Sequence, residues 1–511
     1  MRPDATPLFR LYAAWRGRQL AALHAVASQR RQLLKLVGQA TATRFGREHG
    51  FDAIREVPDY LARVPLRRYE DFWRDWWQPA FPRLVDVSWP GLVPFFAVTS
   101  GTTSGRSKYI PVTAAMCRSN VRAGLDVIVH HLLARPRSRA FAGRAFMLGG
   151  ASNLTPEAPG VASGDLSGIA VATTPRWARP FGFPDRGLAL LKDWDIKIER
   201  LANAALNRDI RILTGTPSWL LILLDRMRAL RQARGQPPAP FPKLELLLHG
   251  GVDFRPYRHR FGELLGSHVD YREVYPASEG FIASADRGPG EGLRLNLDNG
   301  LFYEFVPSAE LAAASPRRHW LGDAELGVDY ALALSTCAGA WSYLLGDTVR
   351  LVSRDPPRLA ITGRVGQTMS AFGEHLIVEE VEAAIAAAAG AIGADVTDYA
   401  LGARLPATPG ALSHHVYVVE FATAQPSDAI VRFAATLDTH LSDANDDYRG
   451  HRGGGFGLGA PQVLAVAPGF FAGWMRARGQ LGGQHKVPRI VNDASLFATL
   501  LAAAGARGSA T

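Results

Sequence analysis

Cysteine is almost absent from this 511-residue chain: Cys117 and Cys337 are the only two. Two thiols cannot build a disulfide scaffold or a Cys-rich zinc site, and their scarcity fits a reducing cytoplasm. Long apolar runs are missing as well. No stretch approaches the ~18 uninterrupted apolar residues of a membrane span. Arg10, Arg16 and Arg18 break up the N-terminal segment, so no secretory signal is expected there. Lysine is the third scarcity. Only Lys35, Lys108, Lys192, Lys197, Lys243 and Lys486 occur, so arginine supplies 51 of the 57 Lys+Arg residues.

Acid is short too, and 47 Asp+Glu leave a net charge of +10. Such an excess points first to nucleic acid or an anionic membrane surface. Arginine in place of lysine, beside abundant Ala and Gly, is instead the bias expected from gene base composition. No aromatic–basic module, zinc spacing or recognition-helix pattern accompanies it. The expectation is a cytoplasmic monomer with no nucleic-acid or membrane partner, in which each surviving lysine is informative.

With 47% hydrophobic and 20% charged residues, a large core is available. A prior of ~150 residues per domain gives two to four domains. Residues 8–46 carry apolar positions at helical spacing and read as one or two solvated helices with an arginine face. The aromatics of 51–90, Trp73, Trp76, Trp77 and Trp89 among them, are expected to wrap the main domain. From about residue 92, short apolar runs alternate with helical segments. Strands are expected at 94–98, 209–215, 244–251, 270–280, 300–307 and 329–336. Thr216-Pro217 supplies a cap and first-turn proline for the following helix. This pattern predicts an α/β fold with a substantially parallel sheet, whose ligands sit at the carboxyl ends of strands. A break near 354–370 separates residues 1–365, a large domain with mixed or parallel sheets, from residues 366–511, a smaller mobile α+β domain. GGGFGLG (453–459) reads as a flexible loop and 502–511 as a frayed end.

The segment Thr99-Ser100-Gly101-Thr102-Thr103-Ser104-Gly105-Arg106-Ser107-Lys108 follows an apolar strand directly. Its hydroxyls and backbone N–H groups suit a phosphate chain, glycine allows close approach, and Lys108 offsets charge. It is not a Walker loop, because Gly101 and Gly105 are too close and Arg106 follows. Four features join it downstream. Tyr275-Pro276-Ala277-Ser278-Glu279 offers an aromatic face and a carboxylate suited to Mg²⁺. Asp347, after YLLG, is expected just past a turn, placed to bind ribose hydroxyls. Gly363-Arg364 ends a strand at the hinge, and Lys486 lies in GGQHKVPR (482–489). Hydrolase chemistry is disfavoured, since SEG (278–280) and LSG (166–168) lack the glycine that a nucleophile elbow needs. The adjacent pairs His130-His131 and His414-His415 point apart and are not expected to hold a metal.

These motifs resemble the adenylate-forming superfamily and, more narrowly, the auxin-responsive (Gretchen Hagen) family of acyl-acid amido synthetases. That family's loop has the longer spacing of residues 99–108. The likeness extends to RFGREHGFDAI (44–54), VPLRRYEDF (64–72), FYEFVP, YLLGD, SAFGEHL (370–376) and GGQHKVPR, with Ser104, Pro276-Ala277 and Gln367 as departures. The resemblance implies that ATP and a carboxylic acid give an acyl-adenylate, which an amino acid attacks to form an amide. It implies ATP and Mg²⁺ as cofactors and carboxylic and amino acids as partners. Ser100 to Gly105 would hold the β/γ-phosphates, with Thr99, Lys108, Ser278 and Arg364 lining the nucleotide. Tyr275 would stack on adenine, Asp347 would bind ribose, Glu279 would hold Mg²⁺ and Lys486 would act in adenylation. Arg118, Arg122 and Thr216 are candidates for the acyl-acid pocket, and an acyl-CoA ligase remains the alternative.

Overall fold

On the helix Ala25–Ala40, Leu33, Leu36, Val37 and Ala40 recur at helical spacing and are all buried. The structure, a computed structural model, describes residues 4–508 except 100–107, 150–153, 190, 192–193, 252–253, 255–257, 312, 365–367, 370–373, 375, 405–411, 453–457 and 479–486. The helix Thr6–Ala21 differs from its expected arginine face. Leu8, Leu11 and Trp15 are exposed, whereas Arg16 is buried and hydrogen-bonds the carboxylates of Asp126 and Asp298. Two carboxylates facing the helix give the guanidinium its charge partners, and that inverts the amphipathic pattern. The aromatics of 51–90 form core more than wrapping. Phe72, Trp76 and Trp77 pack with Phe45, Tyr60 and Trp341 in one cluster.

The chain divides into two compact units, the larger holding the described residues of 1–99, 108–251 and 261–365, the smaller those of 252–260 and 366–511. The larger unit contains a sheet of eleven described strands. In order they are Leu301–Pro307, Asp329–Thr336, Tyr343–Arg354, Pro357–Arg364, Leu293–Leu295, Gly280–Ser284, Asp270–Ala277, Leu246–His249, Ile210–Gly215, Arg144–Met147 and Gly182–Phe183. From Asp270–Ala277 onward neighbours run parallel; before it they run antiparallel. The parallel expectation therefore holds for one half, and hairpins build the other. The helix Pro217–Ala233 starts at its proline, but the Thr216 side chain makes no capping hydrogen bond.

A second sheet of four strands, Lys108–Val112, Phe95–Thr99, Val161–Gly164 and Thr155–Ala158, also belongs to the larger unit. Lys108–Val112 is an edge strand, where Pro111 costs no ladder bond on the open side.

In the smaller unit the order is Gln462–Val466, His414–Phe421, Val396–Arg404, Ile490–Val491. Both faces are covered: Tyr417 and Val419 face one cluster, Val416 and Val418 the other. That explains why VYVV (416–419) reads as an unbroken apolar run. Residues 502–508 continue the helix Ala494–Gly508 instead of fraying, because Leu500 and Ala504 are buried in the second cluster.

Candidate functional site

Phe95–Thr99 and Lys108–Val112 pair antiparallel, with Thr99 opposite Lys108 at the end of the ladder. The phosphate-loop residues Ser100, Gly101, Thr102, Thr103, Ser104 and Gly105 connect these strands and lie outside the described residues, as does Lys486. Lys108 is largely buried, its Nζ 3.5 Å from Glu70 Oε1 and 5.1 Å from the centre of the Tyr69 ring.

The second element is a hairpin. Ala277 pairs with Gly280, so Ser278 and Glu279 are the two turn residues between Asp270–Ala277 and Gly280–Ser284. Glu279 is nonetheless buried at 9% exposure. Burial pushes its carboxyl above the ordinary carboxylate value and the charge of Asp347 adds to this; a hydrogen bond with Tyr343 and the charge of Lys108 oppose it. Tyr343 is itself raised, first by burial and then by Glu279, with Glu70 contributing.

Asp347 was expected just after a turn, but it lies inside the strand Tyr343–Arg354, opposite Arg364 on the neighbouring strand. The ladder slips two residues between Ala331, opposite Thr348, and Ala333, opposite Leu344, and Gly346 has a φ of +95°. This bulge, open to glycine because it lacks a Cβ, re-aims the chain at Asp347. The Tyr275 hydroxyl donates to Asp347 Oδ2 at 2.5 Å, and both residues are buried.

Lys108, Tyr275, Glu279 and Asp347 are thus neighbours, drawn from three separate stretches of sequence. Tyr69, Glu70 and Tyr343 join them and were not singled out as site residues. Tyr69 and Glu70 sit in the quoted VPLRRYEDF and Tyr343 opens YLLGD, so the motifs contained them. Thr99 and Ser278 are half-buried at the rim of these elements. The remaining candidates stand apart by their contacts. Arg118 is exposed on the helix Ala114–Ala134, and Arg122 donates to the Asp298 carbonyl at 3.0 Å. His131 bonds Asp270 Oδ2 and Ser138 Oγ, and His415 bonds Glu374 Oε1 in a fully buried pair, so both are structural. Among the described residues no group of three or more His, Cys, Asp or Glu side chains is arranged for a metal.

Comparison with known proteins gives this cluster a context. The GH3 family N-terminal domain matches residues 19–173, its central domain residues 295–364 and its C-terminal domain residues 379–495. The chain belongs to the GH3 family. It is 28% identical over 207 residues to the indole-3-acetic acid-amido synthetase GH3.8 of Oryza sativa subsp. indica, covering 37% of this chain and 33% of that protein. With the indole-3-acetic acid-amido synthetase GH3.3 of Arabidopsis thaliana it shares 26% identity over 217 residues, covering 40% and 36%. The matches span about a third of these relatives' length. Two solved structures share the fold at 16% sequence identity each. One is AtGH3.15 acyl acid amido synthetase in complex with 2,4-DB, with a TM-score of 0.59 over 99% of this chain and 98% of that one. The other is a 2-hydroxyisobutyryl-CoA ligase in complex with 2-HIB-AMP and CoA, at 0.57 over 94% and 92%. Among the described residues no helix of this GH3 chain is long and apolar enough to cross a membrane.

Proposed function

We propose that this GH3 chain is an ATP-dependent acyl-acid amido synthetase. A carboxylate oxygen attacks the α-phosphorus of ATP, the bond to the β-phosphate breaks, and pyrophosphate leaves. The amine of an amino acid then attacks the acyl carbon, loses a proton and displaces AMP. The observation that carries this reading is the meeting of Lys108, Glu279 and Asp347 beside the ends of the strands flanking residues 100–107. Anion attacking anion needs charge neutralisation and alignment, and no protein nucleophile.

In this reading Thr99 and the hydroxyls and amides of 100–105 hold the phosphates with Lys108. Asp347, steadied by Tyr275, takes the ribose; Ser278 and Arg364 border the nucleotide, and the Tyr275 ring lies against adenine. Glu279 fits Mg²⁺: a buried carboxyl disfavoured as an anion gains from a cation, and Mg²⁺ takes one or two carboxylates with substrate phosphates. Bound there, the metal would supply charge to the leaving pyrophosphate. Lys486 acts on the α-phosphate or acyl oxygen. The acid lies between residues 118–131, 165–172 and 214–220, where Thr216 stands, and the residues after Glu279. Indole-3-acetate-like acids are the first substrates to try, and the enzyme works as a cytoplasmic monomer without nucleic acid or membrane.

Lys486→Ala tests the mechanism. Acid-dependent pyrophosphate release should fall roughly 10²–10³-fold, as when one transition-state donor is lost, while ATP binding stays measurable. Unchanged release would remove Lys486 from the reaction. The shared fold with a CoA ligase supports one second reading, thioester formation. AMP release stimulated by CoA and not by amino acids would establish it in place of amide synthesis.

A further inference from the structure

Lys108 is held from a second side by a short helix that the reaction does not otherwise use. Tyr69–Phe72 is a single helical turn, its first N–H groups steadied where the Arg68 amide donates to Asp71 Oδ2 at 3.0 Å. The Tyr69 hydroxyl accepts from the Tyr109 amide at 2.9 Å, which pins the backbone next to Lys108. Trp73 stacks on both rings, 5.9 Å from Tyr69 and 5.8 Å from Tyr109. The Tyr69 face then lies 5.1 Å from the Lys108 ammonium. Strand, hydroxyl and ring already fix where this lysine sits.

Glu70 adds something different. Its Oε1 is 3.5 Å from Lys108 Nζ, and this buried oxygen accepts no hydrogen bond among the described residues. With no hydrogen bond to orient it, this oxygen contributes charge more than geometry. Glu279 also feels the charge of this ammonium, so Lys108 faces acid from a second direction. A polyphosphate arriving there meets a lysine whose charge is already claimed.

We propose that Glu70 competes with bound pyrophosphate for the charge of Lys108, so that the product is held loosely after adenylation. This rests on the adenylation reading above. The Glu70 side chain is 42% exposed and that of Lys108 13%. A pair of this kind is screened, so removing the competing charge should tighten binding only about two- to fivefold.

Calorimetric titration of inorganic pyrophosphate and of ATP, each with Mg²⁺, decides the matter on four full-length variants and the wild type. Glu70→Gln should bind pyrophosphate about two- to fivefold more tightly, with a larger gain at low salt. It should also lower the pyrophosphate inhibition constant. Glu70→Asp, which keeps the charge, should restore wild-type affinity. In a Lys108→Gln background Glu70→Gln should give no gain, since the competitor then has nothing to compete for. Unchanged or weaker binding by Glu70→Gln overturns the proposal, and so does an equal gain without Lys108. A wild type that binds both probes while Glu70→Gln matches it leaves adenylation standing and removes Glu70 alone. A wild type that binds neither probe overturns adenylation together with it.

Discussion

Glu279 is both a turn residue and a buried acid, and its pH behaviour follows from that conflict. Burial is the leading cause of its raised pKa, followed by repulsion from Asp347; the Tyr343 hydroxyl and Lys108 soften the penalty without cancelling it. The folded chain therefore binds this proton more tightly than the unfolded chain does. Its contribution to stability is fully present below the ordinary carboxylate value and is lost as pH rises through the folded value. Near neutral pH the ionised side chain is a cost, which a cation would offset. Glu279→Gln keeps the shape and removes the charge. Thermal unfolding at pH 7 should show the variant more stable than the parent, with the gap closing on acidification. The same change should weaken Mg²⁺-dependent ATP binding by roughly 10–100-fold, the range for losing a charged partner. Equal Mg²⁺ dependence in both proteins would take the metal away from Glu279.

Among the elements, the turn joining Asp329–Thr336 to Tyr343–Arg354 sets where the site strand begins. Gly339 has a φ of +86°, and a Cβ there would meet the Ser88 carbonyl carbon and oxygen at 2.7 Å. Ser88 cannot retreat, because its carbonyl accepts from Trp341 Nε1 at 2.9 Å and its hydroxyl from Trp77 Nε1 at 3.1 Å. Gly339→Ala should cost about 2 kcal/mol or more through left-handed strain and the clash together, read as a lower denaturant midpoint. An unaltered midpoint would mean that the turn yields. Such packing explains what was legible in the sequence. Apolar runs announced Ile210–Gly215 and Leu301–Pro307, because period and burial are local properties. The motifs likewise led to Lys108, Tyr275, Glu279 and Asp347. Glu70 and Tyr69 escaped notice because their link to Lys108 crosses about 40 residues of chain, and no local pattern encodes that approach. The bulge at Gly346 was hidden for the same reason: a register slip exists only against a partner strand. Arg16 shows the opposite failure, where a local helical pattern was overruled by two distant carboxylates.

Across the whole molecule, several arginines are built into the fold as ion-pair partners. Arg16, Arg272 and Arg358 are buried against Asp126, Asp270 and Asp286, and Arg318 pairs with the buried Glu304. This use of arginine bears on the boundary between the two units, where the sequence suggests a hinge at Gly363-Arg364. Trypsin needs an arginine on chain that can leave its ladder. Arg354 is anchored to the Ala324 carbonyl, and Arg358 is fixed by Asp286 inside the strand Pro357–Arg364. Arg364 is the last residue of that strand, immediately before the boundary at 365/366. Cleavage in this region should therefore begin after Arg364. If adenylation turns the smaller unit about the adjoining segment, ATP with indole-3-acetate should change the cleavage rate there several-fold, and ATP alone should change it less, because hinge closure follows occupancy of the complete site. Time courses read by mass spectrometry separate this site from others. Equal rates with and without both substrates, in a chain shown to bind ATP, would mean that residues 364–370 are a fixed connection and that Lys486 reaches the acyl phosphate by another route.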